Sequence, residues 1–184
     1  MYKRQPFGYA DAGVIETQVR LTGGLTSDTA KLTLHKILPL RDLDKSRWKI
    51  THTSSVEPGE GLAIHAIDND PSTFWHTNWS SSQGKHPHDI QIDLSDTVTL
   101  VGFTQLPRQG QSNGRIRHYK FYAGMDADHW GAPVAEGTFA NNNELQTVRF
   151  EASVKARFIK LVALDEWSNE YYTSLAELDV MAAK

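Results

Sequence analysis

From Trp48 onward the chain is a succession of short apolar–polar alternations: "DIQIDL", "VTLVGFTQL", "IRHYKFYA", "QTVRFE", "ARFIKLVAL" and "LAELDVM". Gly, Asn, Asp, Ser and Pro clusters close off each run. Alternation places successive side chains on opposite faces of a pleated strand, so each run can bury one face and wet the other. No segment sustains the roughly 3.6-residue period of a helix, and the turn clusters recur as they do in an antiparallel sandwich. A chain of this kind buries apolar surface only by closing sheet faces on one another. Upstream, "VIETQVRL" (Val14 to Leu21) and "AKLTLHKIL" (Ala30 to Leu38) alternate around "TGGLTSDT" as a hairpin does, and "LPLRDLDKSRW" reads as a connector. The expected organisation is all-β: residues 47–184 as a complete antiparallel β-sandwich, preceded by residues 1–46 as the C-terminal remnant of an upstream β domain or a linker.

Composition narrows the function classes. A chain of 184 residues, 39 % apolar, can bury one ordinary core, or one core and part of another. Its 19 Lys and Arg are scattered and outweighed by 22 Asp and Glu, so it has no stripe for neutralising phosphates and nucleic acid is excluded as the expected partner. With no cysteine, nothing depends on a disulfide or thiolate, and bacterial origin fits better than a vertebrate extracellular one. No apolar run approaches the roughly 18 residues that span a bilayer. The start, "MYKRQPFGYAD", lacks the apolar middle of a secretory signal. "MYKRQ" looks like the translation of a transposon adapter, so residues 1–5 are read as an artefact and the chain as a fragment cut upstream, for which a missing leader carries no weight.

The chemistry concentrates in loops. "DNDPSTFWHTNW" (Asp68 to Trp79) crowds Asp68, Asp70 and Thr73 into one tight turn, where oxygens can ligate a hard cation or simply cap backbone amides as an Asx-turn. An EF-hand fails, because Thr73 stands where its glycine belongs and Trp79 where its bidentate glutamate belongs. Trp75, after Phe74, reads as core. Trp79, three residues past His76, reads either as core or as an exposed platform for the apolar face of a sugar. "LPRQGQSNGRI" offers the guanidinium fork of Arg108 and the amide of Asn113. "DEWSNEYYTSLAEL" sets Trp167, Tyr171 and Tyr172 before Glu177. A metal enzyme built on His76, His86 and His88 is a rival, weakened by the absence of a supported general base or a G-x-S-x-G nucleophile. "NWS" at Asn78 is a glycosylation sequon, expected to be empty in a bacterium.

In sequence order, "AIDNDPSTFWHT", "HPHDIQIDL", "FTQLPRQGQSNGRIRHYKFY" and "TSLAELDV" resemble the discoidin, or coagulation factor V/VIII type C, domain in its bacterial form, the family 32 carbohydrate-binding module. The resemblance spans about Trp48 to Met181. It implies a jelly-roll sandwich of the galactose-binding kind, a structural Ca2+ ion, and a shallow sugar site made by loops at one end. Carried over, the ion would be held by the carboxylate of Asp68, the carbonyls of His65 and Asp70, Thr73, Ala176 and Glu177. The sugar would be held by His76, Trp79, Arg108, Asn113 and Tyr172, with Trp167 able to reach the same rim. The implied function is a non-catalytic module recognising galactose or N-acetylgalactosamine. It would act as a monomeric unit of a larger glycan-processing enzyme, outside the cell, in the periplasm or at the cell surface of a bacterium, without membrane insertion. The alternative is a discoidin-type adhesion domain for protein or membrane surfaces, although these loops lack the apolar spikes flanked by basic residues that membrane binding uses. The long run "NWSSSQGKHPHD" departs from the family and can reshape the pocket near Trp79.

Overall fold

The computed structural model describes residues 40–81 and 84–184, so the hairpin expected over residues 14–38 lies outside the described residues. In chain order the strands are β1 (Leu40–Arg41), β2 (Lys49–Thr53), β3 (Trp75–His76), β4 (His88–Leu106), β5 (His118–Gly124), β6 (Ala135–Thr138), β7 (Gln146–Ala163), β8 (Ser174–Leu175) and β9 (Glu177–Ala183). Short 3-10 turns occupy Lys45–Arg47 and Ala63–Ala66. Every pairing between these strands is antiparallel.

Two pairs of runs that read as separate strands are continuous. "DIQIDL" and "VTLVGFTQL" fall within the 19-residue β4, and "QTVRFE" and all but the final Leu164 of "ARFIKLVAL" fall within the 18-residue β7. These long strands stay paired with each other but slip register between Asp93 and Val98 and again between Leu100 and Gly102. At the first slip Ser95 takes a left-handed φ of +66°, and its N–H donates to Asp93 Oδ1 at 2.7 Å. Such bulges bend and twist a strand. The first half of β4 thus lies between β2 and the end of β7, with β5 and β6 beyond, while its second half lies between β9 and the start of β7. The layers meet through aromatics, with Phe103 of β4 stacked on Phe121 of β5 at 4.0 Å and Phe121 5.8 Å from Phe150 of β7. The second slip also resets the inward phase from Ile90, Ile92, Leu94, Val98 and Leu100 to Phe103 and Gln105.

The connector differs from its expected role. Leu40 and Arg41 pair with Ala183 and Ala182, and Lys45 is buried. Without β1 the outer side of β9 would present unpaired backbone groups there, which gives the segment its reason to zip onto the sandwich.

Candidate functional site

A two-strand ribbon outside the main sheet carries the site. Trp75 pairs with Leu175 and His76 with Ser174, and Thr77 N–H continues the pairing to the Thr173 carbonyl at 2.9 Å. Trp75 and Leu175 anchor it in the core. A loop locks onto each edge. On one, Glu57 N–H donates to the His76 carbonyl at 2.7 Å and His76 N–H to the Gly61 carbonyl at 3.2 Å, an approach so close that a Cβ on Gly61 would sit 2.6 Å from His76 Cβ. On the other, Ser174 N–H donates to the Gly114 carbonyl at 2.8 Å and its hydroxyl to the Asn113 carbonyl at 2.6 Å. Gly114 has a φ of +76° and no room for a side chain against Ser174. The result is a groove lined by Glu60, His76, Trp79, Arg108, Gln111, Asn113 and Tyr172.

Its chemistry follows from the partners. His76 Nδ1 lies 2.7 Å from the Thr77 carbonyl, which can only accept, so Nδ1 carries the proton and Nε2 is left as an acceptor. That Nε2 is buried and has no protein partner. Burial, with the Arg108 charge adding, holds the His76 pKa below the ordinary histidine value and keeps the ring neutral. The Arg108 Cζ lies over the Phe74 ring, 3.8 Å from its centroid, and Nη1 donates to Asn113 Oδ1 at 3.4 Å. Trp79 is 46 % exposed, so it is not a core residue. Its indole N–H donates to Glu60 Oε1 at 3.2 Å, and buried Glu57 accepts the backbone N–H groups of Trp79 and Ser80 at 2.9 and 3.1 Å. The Tyr172 ring is 5.2 Å from that of His76. A neutral acceptor, a cationic fork, a carboxylate and two aromatic walls therefore face one shallow space.

Five of the six residues expected to touch sugar converge on this groove: His76, Trp79, Arg108, Asn113 and Tyr172. Trp167 does not. Its indole N–H donates to the Phe139 carbonyl at 3.2 Å and its ring lies 5.8 Å from the Arg117 guanidinium, which fastens it beside β5 instead. Glu57, Glu60 and Gln111 carry no sequence signal, because a lone acid or amide in a turn-rich loop has no periodicity to mark it. The histidine rival finds no centre. His86 Nε2 engages the Thr173 hydroxyl, His88 is bonded to Ser54 and the Tyr171 carbonyl, and no group of three His, Cys, Asp or Glu able to hold a metal occurs among the described residues. Asn78 of the sequon is buried, its amide donating to Ser81.

The residues expected around a cation form a second cluster. Asp68 accepts from Asp70 N–H at 2.9 Å and from the Thr73 hydroxyl at 2.7 Å, so the Asx-turn reading describes this loop as it stands. Glu177 approaches from the far end of the chain. Its Oε2 accepts from Lys45 at 2.7 Å, while Oε1 is buried without a partner. Burial first, against the pull of Lys45, and then the neighbouring Asp68 carboxylate push the Glu177 pKa up to about 7. Two adjacent carboxylates with an orphaned buried oxygen are the donor chemistry a hard cation takes. Such an ion would also draw on carbonyls, with His65, Asp70 and Ala176 as the candidates; His65 turns its ring to the Phe74 carbonyl at 3.3 Å.

Comparison with known proteins places the chain among relatives of one family. The F5/8 type C domain family model matches residues 49–178. A sialidase from Micromonospora viridifaciens is 38 % identical over 141 residues, 75 % of this chain and 22 % of the sialidase. The chain thus spans about a fifth to a quarter of the first curated relatives. A family 32 module from Clostridium perfringens, solved in complex with GalNAc-β-1,3-galactose, superposes with a TM-score of 0.69 at 34 % identity, covering 75 % of this chain and 97 % of that one. Another from the same organism, solved with galactose, gives 0.66 at 31 % identity, covering 74 % and 95 %.

Proposed function

The chain belongs to the F5/8 type C domain family, and from that premise we propose that it is a non-catalytic carbohydrate-binding module whose groove takes a terminal galactose-type sugar, galactose or N-acetylgalactosamine. The observation that carries the reading is His76 Nε2, a buried acceptor with no protein partner, facing a groove walled by Trp79 and Tyr172. A buried polar atom left unpaired costs about 1–3 kcal/mol, and a ligand hydroxyl donating to it removes that cost. An axial 4-hydroxyl leaves one ring face continuously apolar for the aromatic walls and puts neighbouring oxygens within the span of the Arg108 fork. Glucose misplaces that hydroxyl. Such an open site binds on the order of millimolar, about −4 kcal/mol, and gains through multivalency when attached to a larger protein. The resemblance of part-length matches to a sialidase and to modules solved with sugars supports a role in bringing an attached glycan-processing enzyme to its substrate outside the cell. Asp68 and Glu177 support a structural calcium ion as the partner that would tie the first loops to the last strand.

Calorimetry against monosaccharides tests the sugar class. Galactose and N-acetylgalactosamine should bind comparably, and glucose at least about tenfold more weakly, the equivalent of 1.4 kcal/mol. Preference for glucose-configured or purely internal chain segments would overturn the galactose assignment.

A further inference from the structure

The segment entering the sandwich brings its own cation to the cradle. Lys45 is only 7 % exposed, and its Nζ lies 2.7 Å from Glu177 Oε2 and 3.7 Å from Asp179 Oδ2. The Asp44 carboxylate caps the turn that begins at Lys45, accepting from Ser46 N–H at 2.9 Å, so the ammonium is delivered by a structured turn and not by a loose arm. Glu177 is therefore shared. One carboxylate oxygen is held by the ammonium, and the other is buried and unpaired in the neighbourhood of Asp68. We propose that Lys45 is a resident counter-ion that competes with calcium for Glu177, lowering the cradle's affinity for the metal and offsetting the carboxylates of the last strand when metal is scarce.

This rests on the calcium reading above. A like charge on the far oxygen of the same carboxylate opposes a divalent cation on the near one, whereas removing both cations leaves Glu177, Asp179 and Asp68 to repel one another. The ammonium is thus expected to weaken metal binding and to strengthen the metal-free fold. Lys45 precedes the first residue matched by the family model, whereas Glu177 and Asp68 lie within the matched residues, so the device joins the entering segment to the matched domain.

The test titrates calcium chloride into the full chain by calorimetry and records melting curves in calcium and in chelator, for the wild type and for Lys45→Met, Lys45→Gln and Lys45→Arg. The Met and Gln variants should bind calcium about tenfold or more tightly, the smallest effect expected of removing a unit charge at this range. They should also lose more melting temperature in chelator than the wild type does, while Lys45→Arg follows the wild type. Folding of either neutral variant only in calcium would support the proposal equally. Unchanged or weaker calcium binding in the neutral variants would overturn it, as would failure of both to fold in calcium. Calcium binding by the neutral variants but not by the wild type would overturn the calcium reading for the native chain and uphold Lys45 as its counter-ion; binding by none would overturn both.

Discussion

The two halves of "DNDPSTFWHTNW" make opposite use of adjacent residues. In the first, Asp68, Asn69 and Asp70 are exposed and satisfy one another locally: Asp68 accepts from Asp70, Asp70 from Ser72, and Asn69 sits at a left-handed φ of +63°. In the second, Trp75 and His76 are about 1 % exposed and are held by partners a hundred residues away, Leu175 and Ser174. The first half is a turn that builds itself and borrows one distant carboxylate, Glu177. The second is a strand that exists only because β8 is there to pair with it. Local hydrogen bonding thus serves the cradle, and long-range pairing serves the groove.

Breaking the hinge between the halves should have the largest effect. Trp75→Ala removes a buried indole whose N–H donates to the Ser55 carbonyl at 2.9 Å, and should cost about 3–5 kcal/mol in denaturant unfolding. Sugar and calcium binding should fall together, because the anchor serves both. A loss below about 1 kcal/mol would mean the ribbon does not hold the two sites in common.

Next come two substitutions that should separate the halves. Arg108→Ala should abolish measurable galactose binding while lowering stability by about 1 kcal/mol or less, the worth of its stacking on Phe74. Asp68→Ala should do the reverse, losing its two local hydrogen bonds for about 1–2 kcal/mol and the calcium-dependent part of the melting temperature. Its galactose affinity should stay within about 0.5 kcal/mol, as for independent sites. A large fall in sugar affinity in Asp68→Ala would show the two halves to be coupled.

The smallest expected effect is on pH dependence, where the halves should move in opposite directions. Burial, with His88 adding, lowers the His86 pKa to about 4, below its ordinary value near 6.5. The unfolded chain then binds more protons across that window, so this contribution is whole above 6.5 and is lost as pH falls toward 4. His86 bonds the Thr173 hydroxyl beside Tyr172, so the loss falls on the groove side. Glu177 is raised from 4.5 to about 7, so in chelator the folded state holds the extra proton and the cradle gains stability as pH falls from about 7 toward 4.5. Melting curves against pH should show His86→Gln flattening the acid loss and Glu177→Gln flattening the acid gain. Parallel slopes in all three proteins would contradict both assignments.

What the residues determine alone is whatever has a short period or a local partner. Alternation marks the strand runs because a pleat has a repeat of two, and Asp68, Asp70 and Thr73 mark their turn because their oxygens reach amides within a few positions. The joining of two runs into β4 and of two into β7 was not visible, since a bulge looks like a turn when the partner strand is unknown. The groove was legible only so far as each residue's motif pointed to it. Trp167 carries the same kind of motif as Tyr172, and pairing of the backbone around it to Arg115 and Ile116 sends it elsewhere. Glu60 and Gln111 carry none, and they reach the groove because two glycines, Gly61 and Gly114, let their loops press against β3 and β8. Lys45 lies in a stretch that read as a connector and is buried against Glu177, 132 positions away in the chain. Composition and periodicity decide which faces a chain must bury; which loop atoms then meet, and which buried oxygen or nitrogen is left without a partner, depends on long-range register and packing, which have no local signature in the sequence.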